Sequence, residues 1–336
     1  MNQDILIETV ATLVKEPKGI LAIDESVNTC TKRFLKLSVP STVEKRREYR
    51  ELLVTAPGIE KYISGYILFD ETIRQSTRKG QRFVSVLKDK GILPGIKVDT
   101  GLEDFLGHPG EKITEGLEEL SGRLKEYKKL GASFCKWRAV YTIGKNELGE
   151  TPSQELMKEN AVRLAKYALL CQQFNLVPIV EPEVLMDGDH NLALSYEVTG
   201  RNLDILFAEL KREGVYLPGV ILKTSMVLAG KDNQAHVSEE DIAKMTVKCL
   251  KKYVPAGLGG VVFLSGGQAD EEAARRLNAM HHLGPLPWPL SFSYGRAIQR
   301  QALESWAKNP GDTSGAQTLL VERARANSLA SVGEYK

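Results

Sequence analysis

Eight short apolar runs, rich in β-branched residues and bounded by Gly or Pro, recur along the whole chain of 336 residues. They cover residues 19–26, 63–72, 91–101, 134–143, 176–185, 219–230, 258–268 and 287–297. Helical spacing fills the stretches 43–53, 115–130, 154–174, 197–214, 238–254, 269–282 and 295–308. Such alternation is typical of parallel strands joined by right-handed crossovers. Eight units predict an α/β fold, a closed (β/α)8 TIM barrel, as a single domain over residues 1–336.

A doubly wound open sheet is the alternative fold for this alternation. It is disfavoured because no G-x-G-x-x-G pattern follows the first run and no Walker A pattern occurs in the chain. The apolar fraction of 42% is enough for a sizeable core. These features favour a closed barrel over a nucleotide-binding open sheet.

Charge and targeting features bear on the binding partners and on the location of the protein in the cell. The chain carries 45 Lys+Arg against 43 Asp+Glu, so net charge gives no support for a nucleic-acid or membrane-surface partner. No apolar run approaches the ~18 residues of a membrane span. The N-terminus has an early acid and no basic segment, and the four cysteines form no CxxC pair. We expect buried, reduced thiols and a cytoplasmic protein without a signal peptide.

Polar or charged side chains end every predicted strand. They are Asp24, Glu25 and Ser26; Asp70 and Glu71; Lys97 and Asp99; Lys136 and Arg138; Glu181 and Glu183; Lys223; Ser265; and Ser293 with Arg296. A charge in an apolar run is costly to bury unless it is paired, and a barrel opens its strand ends onto a polar mouth. Residues two apart on a strand share a face, so each such pair is predicted to point into the barrel. The competing explanation is a set of internal salt bridges.

Lys223 lies in the middle of an apolar run. Burial, together with repulsion from Lys136, favours a neutral amine that can attack a carbonyl carbon. The alternative is a buried ion pair with Glu181 or Glu183, which is compatible with catalysis because an imine-forming lysine needs an acid nearby. Burial should raise the pKa of Glu181 and make it that acid. Asp24 is predicted to accept a substrate hydroxyl proton.

Two loops that each open a helix are predicted to bind phosphate. Their residues are Ser265, Gly266, Gly267 and Gln268 after the seventh strand, and Tyr294, Gly295 and Arg296 after the eighth. Glycine lets backbone N–H groups approach an anion, and a guanidinium grips phosphate through two hydrogen bonds. Across the mouth, a second phosphate is expected at Lys97 and at the loop after the first strand, with Ser26, Thr29 and Arg33. A substrate phosphorylated at both ends would then span the barrel.

The sequence contains no motif typical of a metal site or of a serine hydrolase. The five histidines form no H-E-x-x-H or other ligand spacing, and no G-x-S-x-G is present. We therefore expect no metal and no cofactor.

Several segments resemble the family of class I (Schiff-base) fructose-1,6-bisphosphate aldolases. The segments are GILAIDES, ILFDET, GIKVDTG, FCKWRAV, VILKTSMV, FLSGGQ and LSFSYGRA, and the resemblance runs from about residue 10 to 335. It implies a metal-independent lyase of glycolysis and gluconeogenesis. Such an enzyme reversibly cleaves fructose 1,6-bisphosphate to dihydroxyacetone phosphate and glyceraldehyde 3-phosphate. It also implies a homotetramer.

The resemblance assigns roles to residues already singled out. Lys223 would form the imine with the substrate ketone, Glu181 would be the acid/base of carbinolamine dehydration, and Asp24 would trigger carbon–carbon cleavage. Lys136 would stabilise charge, supported by Glu183 and Arg138. The phosphate nearer the ketone would bind at Ser265, Gly266, Gly267, Ser293, Gly295 and Arg296, and the other at Ser26, Thr29, Arg33 and Lys97.

Other functions remain open from the residues alone. One is a different Schiff-base sugar-phosphate aldolase, acting on sedoheptulose bisphosphate or on a singly phosphorylated substrate in the manner of transaldolase. Another is pyridoxal phosphate chemistry at Lys223. A third, from another class, is a barrel scaffold without catalysis.

Overall fold

A closed ring of eight parallel strands forms the centre of the computed structural model, which describes residues 1–336. In chain order the strands are β1 (Gly19–Ile23), β2 (Ile63–Leu68), β3 (Leu93–Lys97), β4 (Phe134–Tyr141), β5 (Val177–Val184), β6 (Ile221–Thr224), β7 (Gly260–Phe263) and β8 (Leu290–Tyr294). Each strand pairs with its neighbours in the chain, and β8 closes the ring against β1, where Ile20 lies opposite Ser293. The prediction of a TIM barrel is confirmed.

Twelve helices accompany the strands. They are α1 (Gln3–Leu13), α2 (Val27–Leu35), α3 (Val43–Thr55), α4 (Asp70–Ile73), α5 (Phe83–Asp89), α6 (Leu120–Leu130), α7 (Gln154–Gln173), α8 (Leu192–Arg212), α9 (Glu239–Tyr253), α10 (Asp270–His281), α11 (Arg296–Lys308) and α12 (Thr313–Ala330). Two single 3₁₀ turns lie at Ile59–Lys61 and Leu217–Gly219. The helices predicted from spacing lie at α3 and α6 to α11. No helix in the chain is both long enough and apolar enough to span a bilayer.

The start of the helix predicted over 115–130 is wrong. Lys112–Glu115 instead pairs with Gly101–Asp104 in an antiparallel hairpin, and α6 begins only at Leu120. Gly116 has φ 128°, a backbone conformation that ends any helical path from the hairpin into α6. The first residues of the predicted helix therefore form a strand and a turn, although their intrinsic preference is for a helix. A second small hairpin joins Gly144–Asn146 to Gly149–Thr151.

The segment after β1 was expected to be a loop, but it is helix α2. Ser26 is its N-cap, and the Ser26 hydroxyl oxygen accepts a hydrogen bond of 3.3 Å from the backbone N–H of Thr29. The cap satisfies one of the free N–H groups at the helix start. Ser26 and Thr29 therefore lie at a helix N-terminus, where the helix dipole favours an anion.

Helix α1, which spacing did not predict, closes the end of the barrel opposite the polar strand ends. Its buried residues Leu6, Val10 and Leu13 belong to an apolar cluster with inward-facing strand residues such as Ile20 and Phe134. A larger cluster of 80 buried residues fills the space between the strands and the surrounding helices. The barrel interior is thus apolar at one end, and only the end formed by the strand C-termini opens to solvent.

Candidate active site

The C-terminal ends of the strands open onto one cavity of about 1170 Å³. Every residue to which the resemblance assigns a role lines this cavity except Gly267. Gly267 is exposed, and a Cβ added to it would lie 3.1 Å from the Met186 sulfur instead of facing the cavity. The predicted catalytic and phosphate-binding groups therefore meet in one place.

Charged residues two apart on a strand share the inner face, as predicted. Lys136 and Arg138 of β4 both reach the cavity, and so do Glu181 and Glu183 of β5. The two strands are paired with Arg138 opposite Glu181. Parallel pairing at this register brings cations of one strand beside carboxylates of the next.

Four side chains, three of them buried and that of Asp24 partly exposed, form a row of alternating charge at the cavity floor. The Lys136 ammonium lies 2.7 Å from Asp24 Oδ2 and 3.0 Å from Glu181 Oε2. The other carboxylate oxygen of Glu181, Oε1, lies 3.0 Å from Lys223 Nζ. The ion pair between Lys223 and Glu181 that we considered above is thus present. It places a carboxylate within proton-transfer distance of the amine.

Neighbouring charges in this row shift the pKa values of Lys136 and Asp24. Burial alone would lower the pKa of Lys136, but Asp24, Glu181 and Asp99 outweigh burial and raise it. Burial alone would raise the pKa of Asp24, but Lys136 and Lys223 hold it well below its ordinary value. At neutral pH the floor of the cavity therefore holds ionised Asp24 and protonated Lys136.

The expectation of a raised pKa at Glu181 is wrong. Burial does act in that direction, but the positive charges of Lys136, Lys223 and Arg138 outweigh it, and the pKa of Glu181 is lowered. The apolar residues before Glu181 in the strand suggested burial correctly. The cations that reverse its effect come from β4 and β6.

Replacing the central cation should raise the pKa values of both neighbouring carboxyls. In Lys136→Met the burial of Asp24 and Glu181 is no longer offset by the nearest charge. Both carboxyls have lowered pKa values in the folded protein, so they stabilise it above about pH 4, and this contribution is lost as the pH falls through their folded pKa values. The loss should begin at higher pH in the variant, which acid unfolding followed by circular dichroism would measure.

Lys158→Met provides the matched control, because it removes an ammonium paired with Glu209 outside the cavity. Its acid midpoint should move less than that of Lys136→Met. An unchanged midpoint in Lys136→Met would contradict the electrostatic description of the row.

Two further ion pairs flank the row. Arg138 donates to Glu183 through a short contact from its Nε. Lys97 lies 2.5 Å from Asp99 Oδ1 and also donates to the Asp99 carbonyl oxygen. Both pairs line the cavity, so their cations remain within reach of a bound anion.

The end of β8 and the start of α11 present unpartnered polar groups to the cavity. The Ser293 hydroxyl is buried and has no hydrogen-bond partner. Arg296 begins α11 and forms no ion pair with any carboxylate within 4.0 Å. Partial burial and the positive charges of Arg33 and Arg138 lower the pKa of Arg296. An anion bound beside it would supply the missing negative charge.

Several cavity residues escaped the sequence analysis. They include Asn28, Lys32, Phe69, Thr100, Leu102, Arg123 and Tyr127. Arg123, for example, projects from α6 and donates 2.7 Å to the carbonyl of Val98, beyond the end of β3. Most of these residues come from helices and hairpins, where no strand-end pattern marks them. Phe69 directly follows β2 but is apolar, whereas the strand-end pattern is one of polar residues. Nowhere in the structure do three His, Cys, Asp or Glu side chains lie close enough together to hold a metal ion.

Comparison with known proteins gives consistent matches along the chain. The family model described as fructose-bisphosphate aldolase class-I matches residues 5–336. A relative named probable fructose-bisphosphate aldolase class 1, from Xanthomonas campestris pv. campestris, is 52% identical over 337 residues, covering 100% of both chains. Fructose-bisphosphate aldolase 4, cytosolic, from Arabidopsis thaliana is 48% identical, covering 98% of this chain and 84% of the relative.

A solved structure gives the same result for the fold. It is the fructose-bisphosphate aldolase of Plasmodium falciparum, determined in complex with TRAP and a small-molecule inhibitor. It superposes with a TM-score of 0.96 at 45% identity, covering 99% of this chain and 95% of that chain.

Proposed function

Since this chain belongs to the family of class I fructose-bisphosphate aldolases, we propose that it cleaves fructose 1,6-bisphosphate through an imine on Lys223. The observation that carries the assignment is the 3.0 Å contact between Lys223 Nζ and Glu181 Oε1 at the floor of the cavity. An imine mechanism needs a neutral amine and an acid side by side. This contact supplies a candidate for each.

A single proton transfer prepares both groups. The lowered pKa of Glu181 means that its carboxyl is ionised in the resting site. When the Lys223 ammonium passes a proton across the contact to Glu181, the lysine becomes nucleophilic and the carboxyl becomes an acid. Lys136, on the other oxygen of Glu181, holds that carboxyl in place. The same proton transfer thus produces the neutral amine and the protonated carboxyl, so burial need not keep Glu181 protonated in the resting site.

The reaction then proceeds through imine formation, cleavage of a carbon–carbon bond and release of the two products. The Lys223 amine attacks the ketone carbon, and Glu181 gives its proton to the hydroxyl that leaves as water. Asp24 accepts the proton of the C4 hydroxyl, the C3–C4 bond breaks, and its electrons enter the iminium to give an enamine. Glyceraldehyde 3-phosphate departs. The proton that Asp24 accepted returns to the enamine at C3, and addition of water to the resulting imine releases dihydroxyacetone phosphate and the free lysine.

The remaining groups bind the substrate. Arg296, with Ser265, Gly266, Ser293 and Gly295, is proposed to hold the phosphate nearer the ketone. Gly267 is proposed to act only through the shape of its loop, because it does not line the cavity. The second phosphate is proposed to bind Lys97 and Arg33 with Ser26 and Thr29 at the N-terminus of α2. Arg138 and Glu183 support the charged floor between them.

The setting of the enzyme is also proposed. We expect a cytoplasmic homo-oligomer, which the family resemblance suggests is a tetramer. We expect it to bind a small sugar bisphosphate and to bind neither nucleic acid nor a membrane. Sedimentation equilibrium of the purified chain measures the assembly. A mass of one chain would contradict the tetramer.

Covalent trapping tests the proposed function directly. Sodium borohydride reduces an imine to a stable secondary amine, so treatment with dihydroxyacetone phosphate should label the enzyme irreversibly. Peptide mass mapping should place the label on Lys223 alone. An unmodified Lys223, or activity lost on treatment with a chelator, would contradict the mechanism.

The second phosphate site separates this enzyme from a single-phosphate aldolase. Lys97→Met removes a cavity cation without touching Lys223, so kcat/KM for fructose 1,6-bisphosphate should fall about 100-fold, the loss of one or two charge-assisted hydrogen bonds. For fructose 1-phosphate the change should stay within about threefold. Equal losses for the two substrates would favour the single-phosphate alternative.

A further inference from the structure

A buried hydrogen-bond network lies where α3, α11 and the end of β1 meet. Gln299 of α11 is 1% exposed. Its side-chain amide nitrogen donates to the carbonyl of Ala22 by a short contact and to Glu25 Oε1 at 3.0 Å. Its oxygen accepts a hydrogen bond of 2.9 Å from the Tyr49 hydroxyl. The two ends of the amide are thus satisfied by different elements of the fold.

Glu25 connects this network to the cavity. Its side chain is 8% exposed and lies 2.7 Å from Arg50, which is itself buried. A second, short contact joins Glu25 to Arg33 of α2. Burial alone would raise the pKa of Glu25, but Arg50 and Arg33 outweigh it and lower the pKa. Glu25 is therefore a fixed anion that restrains the position of Arg33.

The network joins the two loops to which substrate phosphates are assigned. At one end, Glu25 lies between Asp24 and Ser26 and holds Arg33. At the other end, the side-chain amide nitrogen of Gln299 lies beside Gly295, the residue before Arg296: a Cβ added to Gly295 would meet that nitrogen at 3.7 Å. One buried side chain thus contacts the carboxylate that pairs with Arg33 and packs against the backbone that begins α11.

We propose that Gln299 is a positioning residue that fixes the separation of Arg33 and Arg296, and so selects a substrate with phosphates at both ends. The inference rests on the proposed function, because that function assigns the two arginines to the two phosphates. A prearranged pair of cations binds a bisphosphate without the entropic cost of ordering them first. Gln299 is outside the lining of the cavity, so it acts only through Glu25 and the start of α11.

The test compares apolar and conservative variants at the network. Gln299→Met keeps the side-chain length but removes both polar ends. We expect KM for fructose 1,6-bisphosphate to rise about tenfold, with kcat and the KM for fructose 1-phosphate each within about twofold. Tyr49→Phe removes one hydrogen bond from Gln299 and should raise KM for the bisphosphate about threefold. Equal KM increases for both substrates would overturn the proposal.

Gln172 offers a matched control. It is also fully buried, and its amide donates 2.8 Å to the carbonyl of Tyr216 and accepts 3.0 Å from the N–H of the same residue. It does not line the cavity. Gln172→Met should lower the melting temperature while leaving both KM values unchanged. If Gln299→Met does the same, Gln299 is merely structural and the proposal is wrong.

Borohydride trapping on the same variants keeps the two claims apart. If Lys223 is labelled in the wild type and in Gln299→Met, the proposed imine mechanism holds, and the ratio of the two KM values alone decides the role of Gln299. Loss of labelling in the wild type would instead reject the proposed function. Loss in Gln299→Met alone would reject the positioning role, because the variant would then disturb the amine itself.

Discussion

Lys223→Met is expected to lower kcat/KM for fructose 1,6-bisphosphate by about 10⁴-fold or more. The side chain keeps its length and its fit in an apolar strand but cannot form an imine. No other amine in the floor row can replace it, because Lys136 is held between Asp24 and Glu181 at 2.7 and 3.0 Å. Steady-state cleavage rates measure the loss, and borohydride with dihydroxyacetone phosphate should no longer label the protein.

Lys90→Met controls for the removal of a partly buried lysine. Lys90 lies outside the cavity, donates 2.5 Å to the carbonyl of Ala56, and has a pKa lowered by burial. We expect full activity and unchanged labelling of Lys223 in that variant. A barrel scaffold without catalysis predicts no measurable difference between the two variants, and an unlabelled wild type would favour it.

The barrel could be predicted because its strands are buried on both faces. Parallel strands covered by helices are continuous apolar runs, and all eight runs correspond to strands of the ring. The hairpin formed by Gly101–Asp104 and Lys112–Glu115 could not be predicted in this way. Its first strand is largely exposed, so neither an apolar run nor a clear alternation marks it.

The position of the candidate catalytic residues in the cavity could be predicted because the face that each takes is decided locally. Spacing by two along a strand decides which face a side chain takes, and this holds for the pairs on β4 and β5. It also holds for Lys97 at the end of β3 and Asp99, which lies just beyond that strand. Arg123 and Gln299 follow no such rule, since each lies on a helix whose packing against a strand end depends on the whole fold. The same limit applies to ionisation. Burial of Glu181 follows from its neighbours in the chain, whereas its lowered pKa depends on cations from other strands.

Glu181→Gln is expected to reduce kcat by about 10³-fold, within the usual contribution of general acid–base catalysis. The amide occupies the same space but can neither take the Lys223 proton nor return it to the leaving hydroxyl. Glu183→Gln is the matched control, because Glu183 lies two residues along the same strand but contacts Arg138 instead of Lys223. Its loss of kcat should be only about tenfold.

The pH dependence distinguishes proton transfer from simple charge loss. In the wild type the carboxyl must be ionised to accept the proton of Lys223. Because the pKa of Glu181 is lowered, activity should persist on the acid side to below the ordinary glutamate pKa of about 4.3. In Glu181→Gln the ionisation of this carboxyl should no longer appear in the pH profile of activity. The remaining imine that borohydride traps should still map to Lys223. A larger loss of kcat in Glu183→Gln than in Glu181→Gln would exchange the two roles, since the acid must then reach the carbinolamine from the Arg138 side of the cavity.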